Sequence, residues 1–110
     1  MDTVFKALSD PCRRAILDLL AERDGRTSGQ IEEAVNELGF SLTRFGVMKH
    51  LKVLEDARLV IPRRSGRFKH HYLNVIPLQQ VVDRWMEPLT QKPMARAMLN
   101  LKNSIEGGKK

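Results

Sequence analysis

The sequence predicts a mainly α-helical fold carrying one two-stranded β-hairpin, and three observations predict it. Apolar residues recur at helical spacing along most of the chain before residue 57 and again after residue 76. Between these stretches, "RLVIPRR" and "RFKHHYLNV" are strand-like runs meeting at Ser65-Gly66. The 110 residues, 42% of them hydrophobic and 29% charged, suit one globular domain with a modest core that gains from dimerisation.

The elements follow in order. Asp2 caps a short first helix whose Val4, Phe5 and Leu8 share a face. "SDP" restarts the chain, with Asp10 as cap and Pro11 at the first helical position. Ala15, Ile16, Leu19 and Leu20 form the buried stripe of a second helix ending near Glu22, and "RDGR" is a turn. Thr27 and Gln30 have capping-box spacing at the start of a third helix. Its core face is Ile31, Ala34, Val35 and Leu38, its outer face Glu32, Glu33 and Glu37, and Gly39 ends it. After the tight connection "FS", Thr43 caps a fourth helix. Val47, Leu51 and Leu54 face inward, and Phe45, Met48, Lys49, Lys52 and Asp56 fall on the opposite side.

Two helices joined by three or four residues, the second with an outward cationic face, form a helix-turn-helix pattern. The hairpin follows it directly, with Pro62 marking an edge strand. The combination is a winged helix-turn-helix, more specific than either part alone. "IPLQQVVDRWMEPL" then resumes helical spacing through Leu78, Val81, Val82, Trp85, Met86 and Leu89, a stripe too long to be buried wholly inside so small a domain. Pro88 and Pro93 should interrupt that helix. Met94, Met98, Leu101 and Ile105 make a second stripe before a fraying "GGKK" tail.

Charge concentrates where the hairpin lies. Residues 1–40 hold five Lys/Arg and eight Asp/Glu, net −3, whereas residues 41–76 hold eight and two, net +6. Residues 77–110 hold six and three, net +3. Like charges gathered on one segment repel unless something anionic relieves them, which points to a polyanion, most often nucleic acid. No apolar stretch reaches the length of a membrane span, and the N-terminus lacks the features of a signal peptide. One cysteine, Cys12, excludes an intrachain disulfide and fits a reducing compartment, so the expected location is the cytoplasm. No cofactor loop and no catalytic grouping of Cys12 with the three histidines is visible, so an enzyme is not expected.

At "FKALSDPCRRAILDLL", "MKHLKVLEDARLV" and "RRSGRFKHHYLN" the chain resembles the ArsR/SmtB family of bacterial winged-helix repressors, over residues 3 to 76. The resemblance implies a homodimer that binds a twofold-related operator and blocks transcription, often of its own gene. Metal-sensing members carry a cysteine-rich motif near the recognition helix, or Asp and His ligands on the C-terminal helix. Here "NELGFSLTRFG" contains no Cys, His or Asp, and "QQVVDRWMEPL" has Asp83 and Glu87 but no histidine. The chain therefore resembles a metal-site-free branch, with no metal and no cofactor expected. "LTRFGVM" also stands where the common pattern has a serine, glutamine and proline sequence.

Lys49, Lys52, Arg63, Arg64, Arg67 and Lys69 are the expected phosphate contacts, with Arg64 or Arg67 reaching the minor groove; the plainer reading is a solvated surface. Arg44, Phe45 and Met48 are the base-reading candidates: Arg44 suits guanine, and the two apolar side chains suit thymine methyls. Phe45 has the alternative of folding back onto the preceding helix. Thr43 is a cap first and a phosphate contact second. His50 is expected to brace its helix, and His70 and His71, on opposite faces of a strand, to have phosphate or surface roles. Cys12 starts a helix beside Arg13 and Arg14, which can lower a thiol pKa, although a plain core thiol is the simpler reading. Val4, Phe5, Leu8, Leu78, Val81, Val82, Trp85, Met86 and Leu89 are the expected dimer contacts.

The expected organisation is one domain over 1–110. Residues 1–9 and 77–106 are dimerisation helices, 27–56 the helix-turn-helix and 59–75 the wing. The expected function is a homodimeric, sequence-specific repressor of double-stranded DNA, with no membrane partner and no effector identified. The alternatives are a metal- or thiol-responsive sensor of the same fold, and a winged helix that binds protein or RNA.

Overall fold

The computed structural model describes residues 1–91 and 93–107, with side chains described for these except at 93–95, 104, 106 and 107. The tail at 108–110 and the side chain of Met94 lie outside the described residues. The chain divides into two compact units, Met1–Leu78 and Gln79–Lys110.

In the first unit, α1 (Asp2–Leu8) is short, and its exposed carbonyl end is satisfied from the next helix. Arg13 donates from Nε to Ala7 O at 2.8 Å and from Nη2 to Lys6 O at 2.9 Å, and Arg14 donates to Leu8 O at 2.6 Å. Cations at a helix C-terminus also meet the favourable end of its dipole. Helix α2 (Pro11–Glu22) begins as expected, with the Asp10 carboxylate accepting from Arg13 N at 3.0 Å. Leu17 is buried with Cys12, Ile16 and Leu20, whereas Ala15 and Leu19, expected inward, are only half-buried.

Helix α3 (Ser28–Glu37) opens on the full capping box: Thr27 Oγ1 accepts from Gln30 N, and Gln30 Oε1 accepts from Thr27 N. Ile31 and Val35 are buried, but Leu38 is 59% exposed, against expectation. The helix stops at Glu37, Gly39 takes φ 97°, and Leu38 leaves the stripe as the chain turns away. Helix α4 (Arg44–Asp56) buries Val47, Leu51 and Leu54. The connection spans residues 38–43, longer than expected, and Asn36 holds it: its side chain accepts from Leu42 N and donates to Leu42 O.

The wing is part of a three-stranded sheet, not a two-stranded one. A short β1 (Arg26–Thr27) joins β2 (Val60–Ser65) and β3 (Phe68–Leu73) in the antiparallel order β1-β3-β2. The segment read as a turn thus includes a strand, because β3 has an open edge whose backbone groups Arg26 and Thr27 can pair. β2 remains an edge strand, as Pro62 requires. Register runs from Val60↔Leu73 to Ser65↔Phe68, and Gly66 holds φ 62° at the first turn position, where a type II′ hairpin calls for glycine.

His71 corrects the expectation of a surface role. It is 1% exposed, and Nδ1 donates to Arg26 O at 3.0 Å. His70 donates from Nδ1 to Gly25 O at 2.8 Å, so both histidines tie β3 to the β1 side of the sheet. Val4, expected at a subunit interface, is 5% exposed and belongs to the core of the chain itself, while Phe5 is exposed and Leu8 half-buried.

The C-terminal stripe runs through α5 (Ile76–Val81), a π-helical turn at Val82–Met86, and α6 (Glu87–Thr90). Pro88 does not end the helix. Proline removes one helical hydrogen bond and crowds the carbonyl four residues back. The π turn absorbs this: Glu87 N donates to Val82 O, five residues back, and the chain continues helically to Thr90. Helix α7 then begins at Pro93 and runs to Gly107. Val81, also expected at the interface, is 4% exposed within the single chain, and Leu78 is half-buried. Val82, Trp85, Met86 and Leu89 are exposed, as are Met98, Leu101 and Ile105 of α7. Among the described residues, no helix is long and apolar enough to cross a membrane.

Candidate nucleic-acid interface

Helix α4 is fixed at both ends by local chemistry. Thr43 Oγ1 accepts from Gly46 N at 3.1 Å, which makes Thr43 the cap. At the other end Arg58 takes φ 61°, and Leu59 N bonds Leu54 O at 3.0 Å, a Schellman closure built on an arginine in place of glycine.

The outward face of α4 carries the expected residues. Phe45 is 67% and Met48 53% exposed, so Phe45 does not fold back onto the preceding helix. Lys49 Nζ stands 4.6 Å from the centre of the Phe45 ring, a cation–π contact that orders both side chains. Lys52 pairs with Asp56 at 2.9 Å, one turn along. Arg44 Nε lies 3.4 Å from Glu32 Oε2 of α3. Its guanidinium occupies the room left by Gly29, where a Cβ would stand 3.0 Å from Nη2.

In the wing, Arg63 and Arg64 are adjacent and so point to opposite faces of the hairpin. Arg64 pairs across the strands with Lys69, whose Nζ lies 3.3 Å from Glu55 Oε1 of α4. Among the described residues, Arg63, Arg64 and Arg67 form no ion pair.

One open groove of about 340 Å³ gathers much of this set. Arg44 and Met48 line it from α4, Arg64, Arg67, Phe68 and Lys69 from the wing, and Thr27, Ser28 and Gly29 from the start of α3. Thr43, Phe45, Lys49, Lys52 and Arg63 are outside its lining. Reading the sequence missed Phe68, which is 57% exposed at the wing tip, and the start of α3. The capping box at Thr27 marked that helix start in the sequence. The acids Glu32 and Glu55 were also missed, since ion pairs between elements leave no mark in local spacing.

A separate cluster joins α2 to α4. His50 Nδ1 lies 3.2 Å from Arg13 Nη1 and 3.8 Å from Asp10 Oδ2, the bracing role expected for it. Cys12 is buried beside them, and ligand atoms of Asp10, Cys12 and His50 lie within 4.8 Å of one another. The donor set suits a borderline-soft cation. The place is poorly suited: the Arg13 guanidinium already faces His50 Nδ1, held there by its bonds to α1, and Asp10 is engaged as a cap. Burial, and next the Asp10 carboxylate, raise the Cys12 pKa. This agrees with the simpler reading of Cys12 as a thiol without a sensing role: desolvation outweighs the neighbouring Arg13 charge, which acts in the lowering direction.

Known proteins agree with this architecture. A family profile described as "Helix-turn-helix domain" matches residues 8–63. The chain is 40% identical over 87 residues to the HTH-type transcriptional regulator YuzN of Bacillus subtilis (strain 168), covering 78% of this chain and 95% of that protein. It is also 40% identical over 86 residues to the transcriptional repressor SdpR of the same strain, covering 78% and 88%. The crystal structure of an ArsR family transcriptional regulator superposes with a TM-score of 0.69 at 26% identity, covering 82% of this chain and 86% of that one. An ArsR-like regulator from Rhodococcus sp. RHA1 shares the fold with a TM-score of 0.71 at 24% identity, covering 96% and 90%. The named relatives are transcriptional regulators, not enzymes. The chain belongs to the ArsR family of helix-turn-helix transcriptional regulators.

Proposed function

We propose that the chain is a cytoplasmic, homodimeric repressor that reads a twofold-symmetric site in double-stranded DNA. The observation that carries the reading is the groove, where the exposed Arg44 and Met48 of α4 and the arginines of the wing face the same space. Arg44 and Met48, with Phe45 beside them, contact base edges in the major groove. Arg63, Arg64, Arg67, Lys49, Lys52 and Lys69 meet phosphates and fix register, with Thr43 close to the backbone. Val82, Trp85, Met86 and Leu89 form the centre of the subunit contact. Their exposure would otherwise leave an apolar patch of a kind soluble monomers avoid. A C2 dimer would place two recognition helices in successive major grooves, about 34–36 Å apart.

Selection of bound duplexes from a random DNA pool tests this. The expected outcome is one enriched sequence with two inverted half-sites a helical turn apart, bound in preference to RNA of equal length. Enrichment of a single half-site, or equal binding to RNA, would overturn the reading. We also propose that binding needs no metal. Affinity for the selected duplex should be the same with zinc, cadmium or a chelator, and a tenfold change on removing a stoichiometric metal would count against it.

A further inference from the structure

Glu32 is an acid placed at the edge of a surface meant for a polyanion, and it is not there to end a helix or fill the core. It sits in the second turn of α3, its side chain 26% exposed, with Oε2 3.4 Å from Arg44 Nε. On the same side of α3, one turn earlier, Gly29 leaves the space in which the Arg44 guanidinium lies. A Cβ there would stand 3.0 Å from Nη2 and 3.5 Å from Cζ. Two features of α3, a carboxylate and a missing side chain, therefore hold one guanidinium of α4.

We propose that Glu32 and Gly29 form a seat for Arg44 that makes this arginine discriminate between bases, so that Glu32 is a specificity-determining positioning residue. The inference rests on the reading of Arg44 as a base contact. Physical reasons support the direction. With its side chain 55% exposed, Arg44 is screened by water, so the pair is weak enough to adjust. A carboxylate 3.4 Å from Nε biases the guanidinium toward one orientation without locking it, which lowers the ordering cost of a two-bond pair with guanine. The same carboxylate repels phosphates. A complex in which Arg44 meets only backbone swaps one anion for another and leaves Glu32 beside the DNA with no gain. The wrong complex is penalised more than the right one, which is how specificity arises from a repulsive element.

The test uses the full chain, with the duplex enriched by selection and a random duplex of the same length. Glu32→Gln keeps the shape and removes the charge. Its affinity for the random duplex should rise by up to about fivefold, while the selected duplex gains nothing, so the ratio falls. The salt slope for the random duplex should steepen by about 0.9, as one more cation turns to phosphate. Gly29→Ala fills the seat and should lower the ratio even with Glu32 intact. In an Arg44→Ala background, Glu32→Gln should leave the ratio where Arg44→Ala put it. Equal gains on both duplexes would reduce Glu32 to general repulsion and overturn the inference, as would no change on either. If Arg44→Ala itself left the ratio unchanged, the reading beneath the inference would fail first.

Discussion

The cations of the candidate interface differ in what surrounds them, and that decides what the loss of each does. Lys52 and Lys69 already have carboxylate partners in Asp56 and Glu55, so DNA must compete for them. Arg64 and Arg67 have no ion pair among the described residues and project from the wing. Replacing both with alanine should weaken specific and random duplexes by similar factors and flatten the salt slope by nearly two. A double variant with wild-type affinity at moderate salt would show that the wing does not touch DNA. His71 governs a different property. Burial holds its pKa below the ordinary value of 6.5, outweighing the bond to Arg26 O. As pH falls the unfolded chain takes up this proton first, so the contribution of His71 to stability is intact above about pH 6.5 and declines below it. Denaturation midpoints measured from about pH 8 to pH 5 should show this loss, and His71→Gln should remove its share of the slope.

Among the elements, α4 is set by its caps as much as by its stripe. Thr43 and the capping box at Thr27 were legible in the sequence because capping depends on residues three apart. The closure at Arg58 was not legible, since the sequence offers no glycine there. A side chain in the left-handed region costs roughly 1–2 kcal/mol. Arg58→Gly should relieve part of that and raise stability by about 1 kcal/mol, read as a higher thermal midpoint. A lowered midpoint would mean the arginine side chain contributes more than its backbone costs. The π turn before Pro88 belongs to the same class: proline announces a disturbance but not whether a helix stops or widens.

For the whole molecule, the exposed apolar residues Val82, Trp85, Met86 and Leu89 are the feature with the largest consequence. Val82→Glu would put an unpaired charge at the centre of the proposed subunit contact, at a cost of roughly 3–5 kcal/mol. The variant should sediment as a monomer and lose operator affinity by orders of magnitude, although α4 is untouched. A dimeric Val82→Glu protein with normal binding would move the contact elsewhere, for instance to the face of α7 bearing Met98 and Leu101.

Periodicity, caps and charge distribution were enough to place the helices that build the core, the hairpin and the cationic segment, because each depends on residues close in the chain. Ile31, Val35, Val47, Leu51 and Leu54 could be assigned to the core from spacing alone. Spacing could not show that Val4 and Val81 are buried within the chain, that His71 is enclosed beneath β1, or that Leu38 is turned outward. The enclosure of His71 depends on Arg26, distant in sequence, and the exposure of Leu38 on how α3 ends. The same holds for the candidate site: its residue types were visible from the start, but Glu32, Gly29 and Arg44 become one arrangement only when α3 and α4 pack together. Local free energies are written in neighbouring residues, whereas burial and long-range charge pairing exist only in the folded chain.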